Sequence, residues 1–406
     1  MVDAVRTDRP VRPGRPVRPG RPVRAARPDP GRPGPRPGAP TVLVGAAVVV
    51  ASSALVVILI GVTNGFAAAV PLTSWLLPVA KLAMDLAAVG TIGVLLFAAV
   101  LVPARSGTLA PPEVRVVRAA VRWAAALAVS ALVTAILTSS DISGSGLSAV
   151  LSPASLYDFL VRESHGRALL VVLVLAGCLA AAATRARTLA DVRFLLVIAL
   201  ATVLPPTQTG HAVEKASHEL ALGTLMVHVV AVSLWFGGLA ALVYFGRGRP
   251  SLGVAANRFS TLALGCFVAA GLTGAVNAWI RLGGGGVSIS ELTGSAYGRF
   301  VAGKIVALVI LGAVGWWHRR RTLPAVAAGR PGAFRRFALG ELVVMVLTVA
   351  LAVALSRTPP PPLPDPAQPD VEQVQPQWPC STDPVLLLRT EERSEVVQWA
   401  RLCNAS

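Results

Sequence analysis

Hydrophobic positions in this chain fall in long unbroken runs, separated by short polar connections. The runs are rich in Ala, Leu and Val and do not alternate with period two, which argues against a membrane β-barrel. Most hold roughly twenty residues, enough for a helix to cross a hydrocarbon core of about 30 Å. Nine spans are predicted: Val42–Ile60, Leu76–Val102, Val116–Leu137, Ala168–Ala183, Arg193–Leu204, Glu219–Phe245, Phe259–Ile280, Phe300–Trp317 and Phe337–Leu355. The fifth is the shortest. The fold class is all-α, a polytopic transmembrane helix bundle of about nine spans.

The connections alternate in charge. Arginines follow the second span (Arg105, Arg115, Arg118), the fourth (Arg185, Arg187, Arg193), the sixth (Arg247, Arg249, Arg258) and the eighth (Arg319, Arg320, Arg321, Arg330, Arg335, Arg336). The other connections are poor in arginine or balanced by acids. The positive-inside rule then makes the N-terminus and the arginine-rich loops cytoplasmic. The connections holding Asp141, Asp158, Glu163 and His165, holding Pro205–Ser217, and holding the glycines from Gly283 to Gly286 face the exterior.

Composition agrees. Of 406 residues 54% are hydrophobic and 14% charged, against about a quarter charged in soluble domains. The net charge of +17 is topological and does not imply nucleic-acid binding, because the arginines crowd the first 40 residues and the span ends. Residues 1–40 repeat Arg-Pro-Val-Arg-Pro-Gly and read as a disordered basic cytoplasmic tail. A five-helix membrane region over 41–205, a four-helix domain over 206–356 and an exterior proline-rich tail over 357–406 complete the division. Cys380 and Cys403 lie in that tail, where a disulfide or two free thiols fit equally. No nucleophile–base set, phosphate loop or HExxH motif is present, so the reading is a non-enzyme.

Chemistry concentrates between Gly210 and Leu239, which holds three of the five histidines. Histidine inside a span is costly and marks a functional site by default. With a helix starting near His218, His228 lies about 15 Å deeper, and Trp235 falls about 20° from it on the same face. His211 and His218 stand at the exterior mouth. Imidazole suits copper, zinc, iron and nickel; the alternative for His228 alone is a hydrogen bond to a neighbouring helix. Gly237, Gly238, Gly271 and Gly274 read as packing residues that let helices approach closely. Lys81 and Asp85, four apart, read as a structural pair. Lys304 and Asn277 are further polar residues within spans. Glu341 is expected to meet Arg335 or Arg336. His318, beside three arginines, is expected to be a solvated loop residue.

The second half resembles the copper-resistance D (CopD) family of bacterial inner-membrane proteins. The resemblance rests on an ordered set: His228 with Trp235-Phe236-Gly237-Gly238-Leu239, Arg258-Phe259-Ser260, Gly271-Leu272-Thr273-Gly274 with Asn277, Tyr297-Gly298-Arg299 and Lys304, the basic cluster at Arg319, and Glu341 leading to Ser356-Arg357-Thr358-Pro359-Pro360. Leu151-Ser152-Pro153, Gly166-Arg167-Ala168-Leu169-Leu170 and Gly210-His211 with His218 are similar to the longer members. In many of those a cytochrome c oxidase assembly domain follows the proline run; here an unrelated tail follows. The resemblance implies a multi-pass protein of the cytoplasmic membrane that handles copper, drawn as import. It implies His211, His218 and His228 as the metal residues, copper ion as the bound species, and an exterior copper-binding protein as a partner beside the lipid bilayer. Two other readings stay open: a haem-binding membrane redox protein, and a scaffold donating copper to oxidase assembly.

Overall fold

The structure, a computed structural model, describes residues 52–55, 57–58, 72–103, 107–208, 215–281, 296–327 and 332–356. Among these residues the secondary structure is helical, with one isolated β-bridge between Thr108 and Thr188 and no strand. Eight helices are long and apolar enough to cross a membrane. They are α1 (Leu72–Leu96), α2 (Pro111–Ser143), α3 (Ser164–Ala183), α4 (Leu189–Ala201), α5 (Lys215–Phe245), α6 (Leu252–Arg281), α7 (Ala296–Trp317) and α8 (Gly332–Leu355). Each overlaps a span expected from the hydrophobic runs, α4 reaching spanning length together with the turn that follows it to Gln208, and the span of α1 running on through its turn to Leu101. The remaining expected span, Val42–Ile60, lies mostly outside the described residues, as do residues 1–40, the Gly283–Gly286 loop and the tail with Cys380 and Cys403. The all-α polytopic bundle is thus the observed architecture.

Local chemistry explains where the helices begin and end. Pro111 and Pro112 open α2, where a missing N–H costs nothing. α2 closes on Gly144, whose φ of 65° is the left-handed conformation that glycine adopts without strain. Thr188 caps α4 in a reciprocal box: its hydroxyl accepts from the Asp191 N–H at 3.1 Å, and the Asp191 carboxylate accepts from the Thr188 N–H at 2.8 Å. α4 is short, and a 3₁₀ turn at Pro205–Gln208 extends its path. α1 and α7 each run on into a π-helical turn, Phe97–Leu101 and His318–Thr322.

α1 is the centre of the bundle. It packs against α2, α4, α5 and α8, and 78% of its most apolar window is buried inside the protein, against 22% for α6 and α7. Lipid tails are as apolar as leucine, so hydrophobicity alone does not draw these helices together; close fit does. That fit is tightest between α1 and α5. A Cβ placed on Gly93 would run into the Gly237 carbonyl, and one placed on Gly237 would run into the Val89 carbonyl. Gly238 leaves room for Phe259 of α6 and Leu96 of α1 in the same way. The largest core cluster takes side chains from all eight helices, including Phe97, Leu179, Leu239, Phe259, Leu311 and Met345.

The arginine-rich connections meet at one end of the bundle. The backbones before α2 and α4 join through Leu109 N–H to Arg187 O (2.9 Å) and Leu189 N–H to Gly107 O (3.0 Å). Arg249 after α5 pairs with Glu113 of α2 at 3.4 Å and stacks over Phe97. Arg258 of α6 donates to Val100 O at 3.0 Å. Arg319 after α7 donates to the hydroxyl and carbonyl of Ser260 on α6. One common end for all four connections is the arrangement that their alternation along the chain requires.

Replacing Gly93 or Gly237 by valine forces two backbones apart. The expected loss is about 3 kcal/mol or more, at the upper end of overpacking costs. Gly177→Val is the control, since nothing stands within 4 Å of a Cβ there. Thermal unfolding of detergent-solubilised protein, followed by tryptophan fluorescence, measures the difference.

Candidate functional site

Two polar clusters sit between otherwise apolar helices, both reached from α5. The first lies between α5 and α6. His228 Nδ1 is 3.0 Å from the Ala270 carbonyl and 3.1 Å from Thr273 Oγ1. A carbonyl only accepts, so Nδ1 carries the proton, and the Nε2 lone pair of the neutral ring is left for another partner. The Thr273 hydroxyl is committed to Ala269 O at 2.6 Å. Gly274 makes space for the ring: a Cβ there would stand 3.4 Å from His228 Cε1. One turn toward the other end, Asn277 donates to Thr224 Oγ1 and to Thr273 O, each at 2.9 Å. Lys304 of α7 is within electrostatic reach of the imidazole.

The second cluster lies toward the arginine-rich end and joins α5, α7 and α8. Trp235, two turns below His228, packs edge-on against Phe267 of α6 with ring centroids 5.7 Å apart. Its indole is within interaction reach of the Glu341 carboxylate of α8. Glu341 is 5% exposed, and its Oε2 stands 3.4 Å from His318 Nε2. His318 is 8% exposed and is flanked by the rings of Phe334 and Phe337.

This corrects two expectations. His318 is not a solvated loop residue: the helix continues past Trp317 as a π turn, which rotates the imidazole into the bundle while Arg319, Arg320 and Arg321 stay exposed. Glu341 meets neither Arg335 nor Arg336, both of which are exposed. Residues 335 and 336 lie on the outer side of α8, while Glu341 faces α5. The signal available in the sequence was the pairing of the only acid in α8 with a histidine at the end of α7. The neighbouring arginines hid it.

The other site residues divide by position. His211 lies outside the described residues. His218 belongs to the first turn of α5, ten residues above His228; its side chain is not among those described. His165 is at the start of α3, with Arg162 and Asp158 paired at 3.4 Å one turn before. Asp85 and Lys81 interact through their charges on α1. Met84 and Met345 are buried in the core as packing residues. Among the described residues no group of three or more His, Cys, Asp and Glu side chains is arranged to hold a metal ion. What the structure brings together are two histidines with oriented rings, His228 and His318, on either side of Trp235.

Trp235→Phe keeps the ring and removes the indole donor, leaving a buried carboxylate short of a partner. The expected cost is about 1–3 kcal/mol. Glu341→Gln alone removes the charge, and a cycle of the two variants and their combination is expected to be clearly non-additive. Denaturation midpoints check both.

Comparison with known families places these clusters. The family described as "Copper resistance protein D-like, N-terminal domain" matches residues 72–221, which hold α1 to α4 and the start of α5 with His211 and His218. The family described as "Copper resistance protein D" matches residues 253–355, which hold α6 to α8 with Thr273, His318 and Glu341. His228, Trp235, Gly237 and Gly238 fall on the stretch of α5 between the two matches. No curated protein and no solved structure matches the chain. The two matches, in order along more than half the chain, make this a multi-pass membrane protein with a copper-related role, and the chain belongs to the copper resistance protein D family.

Proposed function

We propose that the protein is a permease that moves copper ions across the cytoplasmic membrane, most simply inward. The observation that carries this reading is the state of His228. Its Nδ1–H is anchored on Ala270 O, so the ring is held in one orientation within the span and its Nε2 lone pair is the ligating atom. Metal-binding histidines are held in this way, with the second ring nitrogen donating to a carbonyl or carboxylate. An ionisable side chain is kept inside a span where it serves a path for ions or protons. On α6, Ala270 O supplies that anchor with Thr273 beside it, and Gly274 lies against the ring.

The arginine-rich end, where four connections converge, is cytoplasmic on the positive-inside rule. His211 and His218 then stand at the exterior entrance, and an ion captured there passes to His228. An exterior copper-binding protein would deliver the ion. Haem ligation needs two histidines at matched depth on facing helices. His228 sits in the middle of α5, His318 beyond the end of α7 and His165 at the start of α3, so the described histidines do not form such a pair.

Copper accumulation in cells expressing the wild type, His228→Ala, or His211→Ala with His218→Ala measures the proposal. Loss of His228 is expected to lower accumulation about tenfold or more, the scale on which even an outer-shell partner weakens metal sites. Accumulation unchanged in the His228 variant, at equal protein level in the membrane, rules the transport role out for that residue.

A further inference from the structure

The contact between His318 and Glu341 has a feature that a plain hydrogen bond does not explain. Thr322 Oγ1 lies 2.9 Å from the His318 carbonyl, four residues back along the same helix, and donates to it. The same oxygen lies 2.7 Å from His318 Nδ1. A hydroxyl has one proton; with that proton on the carbonyl, the threonine oxygen accepts from Nδ1–H. In the neutral imidazole the lone pair is then at Nε2. That atom is buried and has no hydrogen-bond partner among the described residues. It faces Glu341 Oε2, an acceptor when ionised, across 3.4 Å. Two buried acceptors pointing at each other are unfavourable unless something positive stands between them.

No arginine fills that role. Arg319 is held by Ser260. Arg320 and Arg321 lie over the faces of Trp316 and Trp317 at 5.0 and 5.4 Å. Arg335 and Arg336 are exposed. The spacing suits a metal ion. Ligand nitrogen and oxygen atoms about 2.0–2.2 Å from a tetrahedral ion stand about 3.4 Å apart. Both candidate ligands also have the support that metal ligands usually have. Thr322 holds His318 Nδ1 at 2.7 Å, and the Trp235 indole lies within reach of Glu341. The imidazole is carried on a π turn, a local distortion often found at functional sites.

We propose that His318 and Glu341 are the two protein ligands of an inner copper site at the arginine-rich end of the bundle, below Trp235. An imidazole–carboxylate pair suits divalent copper better than the softer monovalent ion, which prefers sulfur; the tetragonal geometry of divalent copper draws the two atoms about half an ångström closer than they stand without the ion. The choice of copper as the ion rests on the transport reading above; the presence of a cation between the two groups does not. In a path running from His218 through His228, this pair is the last described station.

The test uses the full chain with His211, His218 and His228 all changed to alanine, so that of the five histidines only His165 and His318 remain. The purified protein is titrated with Cu²⁺ and read by copper content and electron paramagnetic resonance. One bound copper is expected, with hyperfine coupling to a single imidazole nitrogen. Adding His318→Asn removes that coupling. Adding Glu341→Gln keeps the nitrogen coupling but weakens binding about tenfold or more. Thermal unfolding confirms that each variant is folded, and Glu341→Gln carries the same test if His318→Asn does not fold. Absence of nitrogen-coupled copper with the pair intact means that a shared proton only occupies the gap, and overturns the proposal. A signal that survives His318→Asn belongs to His165 and overturns it equally. A bound copper here together with unchanged accumulation in the His228 variant would remove the transport reading and leave this site standing.

Discussion

The close approach of α1 and α5 at Gly93 and Gly237 is the constraint on which the other positions depend. In a lipid environment helices gain little from burying apolar side chains against one another, because the lipid is equally apolar. What remains is contact, and contact is greatest where two backbones meet with no side chain between them. α1 is thereby buried along most of its length, and α5 is held beside it. α5 then presents His228 and Trp235 away from α1, to α6 and α8.

The second constraint is that every polar group inside the bundle needs a partner, since no water is there to supply one. Thr91, Thr134 and Thr348 satisfy their hydroxyls on the carbonyl four residues before, at 2.7–2.8 Å. These contacts stay within one helix and ask nothing of the fold. His228, Trp235, His318 and Glu341 differ, because their partners lie on other helices. They therefore fix the depth of α5, α6, α7 and α8 relative to one another while creating the two polar clusters. Both histidines have Nδ1 committed, one to a backbone carbonyl and one to a threonine oxygen. This leaves Nε2 as the uncommitted ring nitrogen in each.

Much of this was legible in the chain. The hydrophobic runs placed α1 to α8 to within a few residues at most ends, because crossing a membrane demands length and apolarity that nothing else in the chain mimics. The alternation of arginines anticipated their meeting at one end, because charge is excluded from the hydrocarbon and each span reverses direction. The glycines of α5 were readable as packing residues, since a bare backbone in a span has little other use. The seven-residue separation of His228 and Trp235 placed them on one face, and both do lie against α6.

His318 and Glu341 were misread, and the reason is physical. Sequence proximity to Arg319, Arg320 and Arg321 suggested solvent, and proximity to Arg335 and Arg336 suggested an ion pair. Local charge says nothing about rotation around a helix axis. The π turn at His318–Thr322 shifts that rotation by one residue, a change without a hydrophobic signature. The partner of Glu341 is set by which helix lies opposite, not by which residue lies next. By itself, then, the sequence determined the number, length and polarity of the described spans, because those follow from transfer between water and lipid one segment at a time. Only the tertiary structure decided which polar side chains meet inside the bundle, because each of those contacts joins helices far apart in the chain and depends on their packing distance, depth and rotation together.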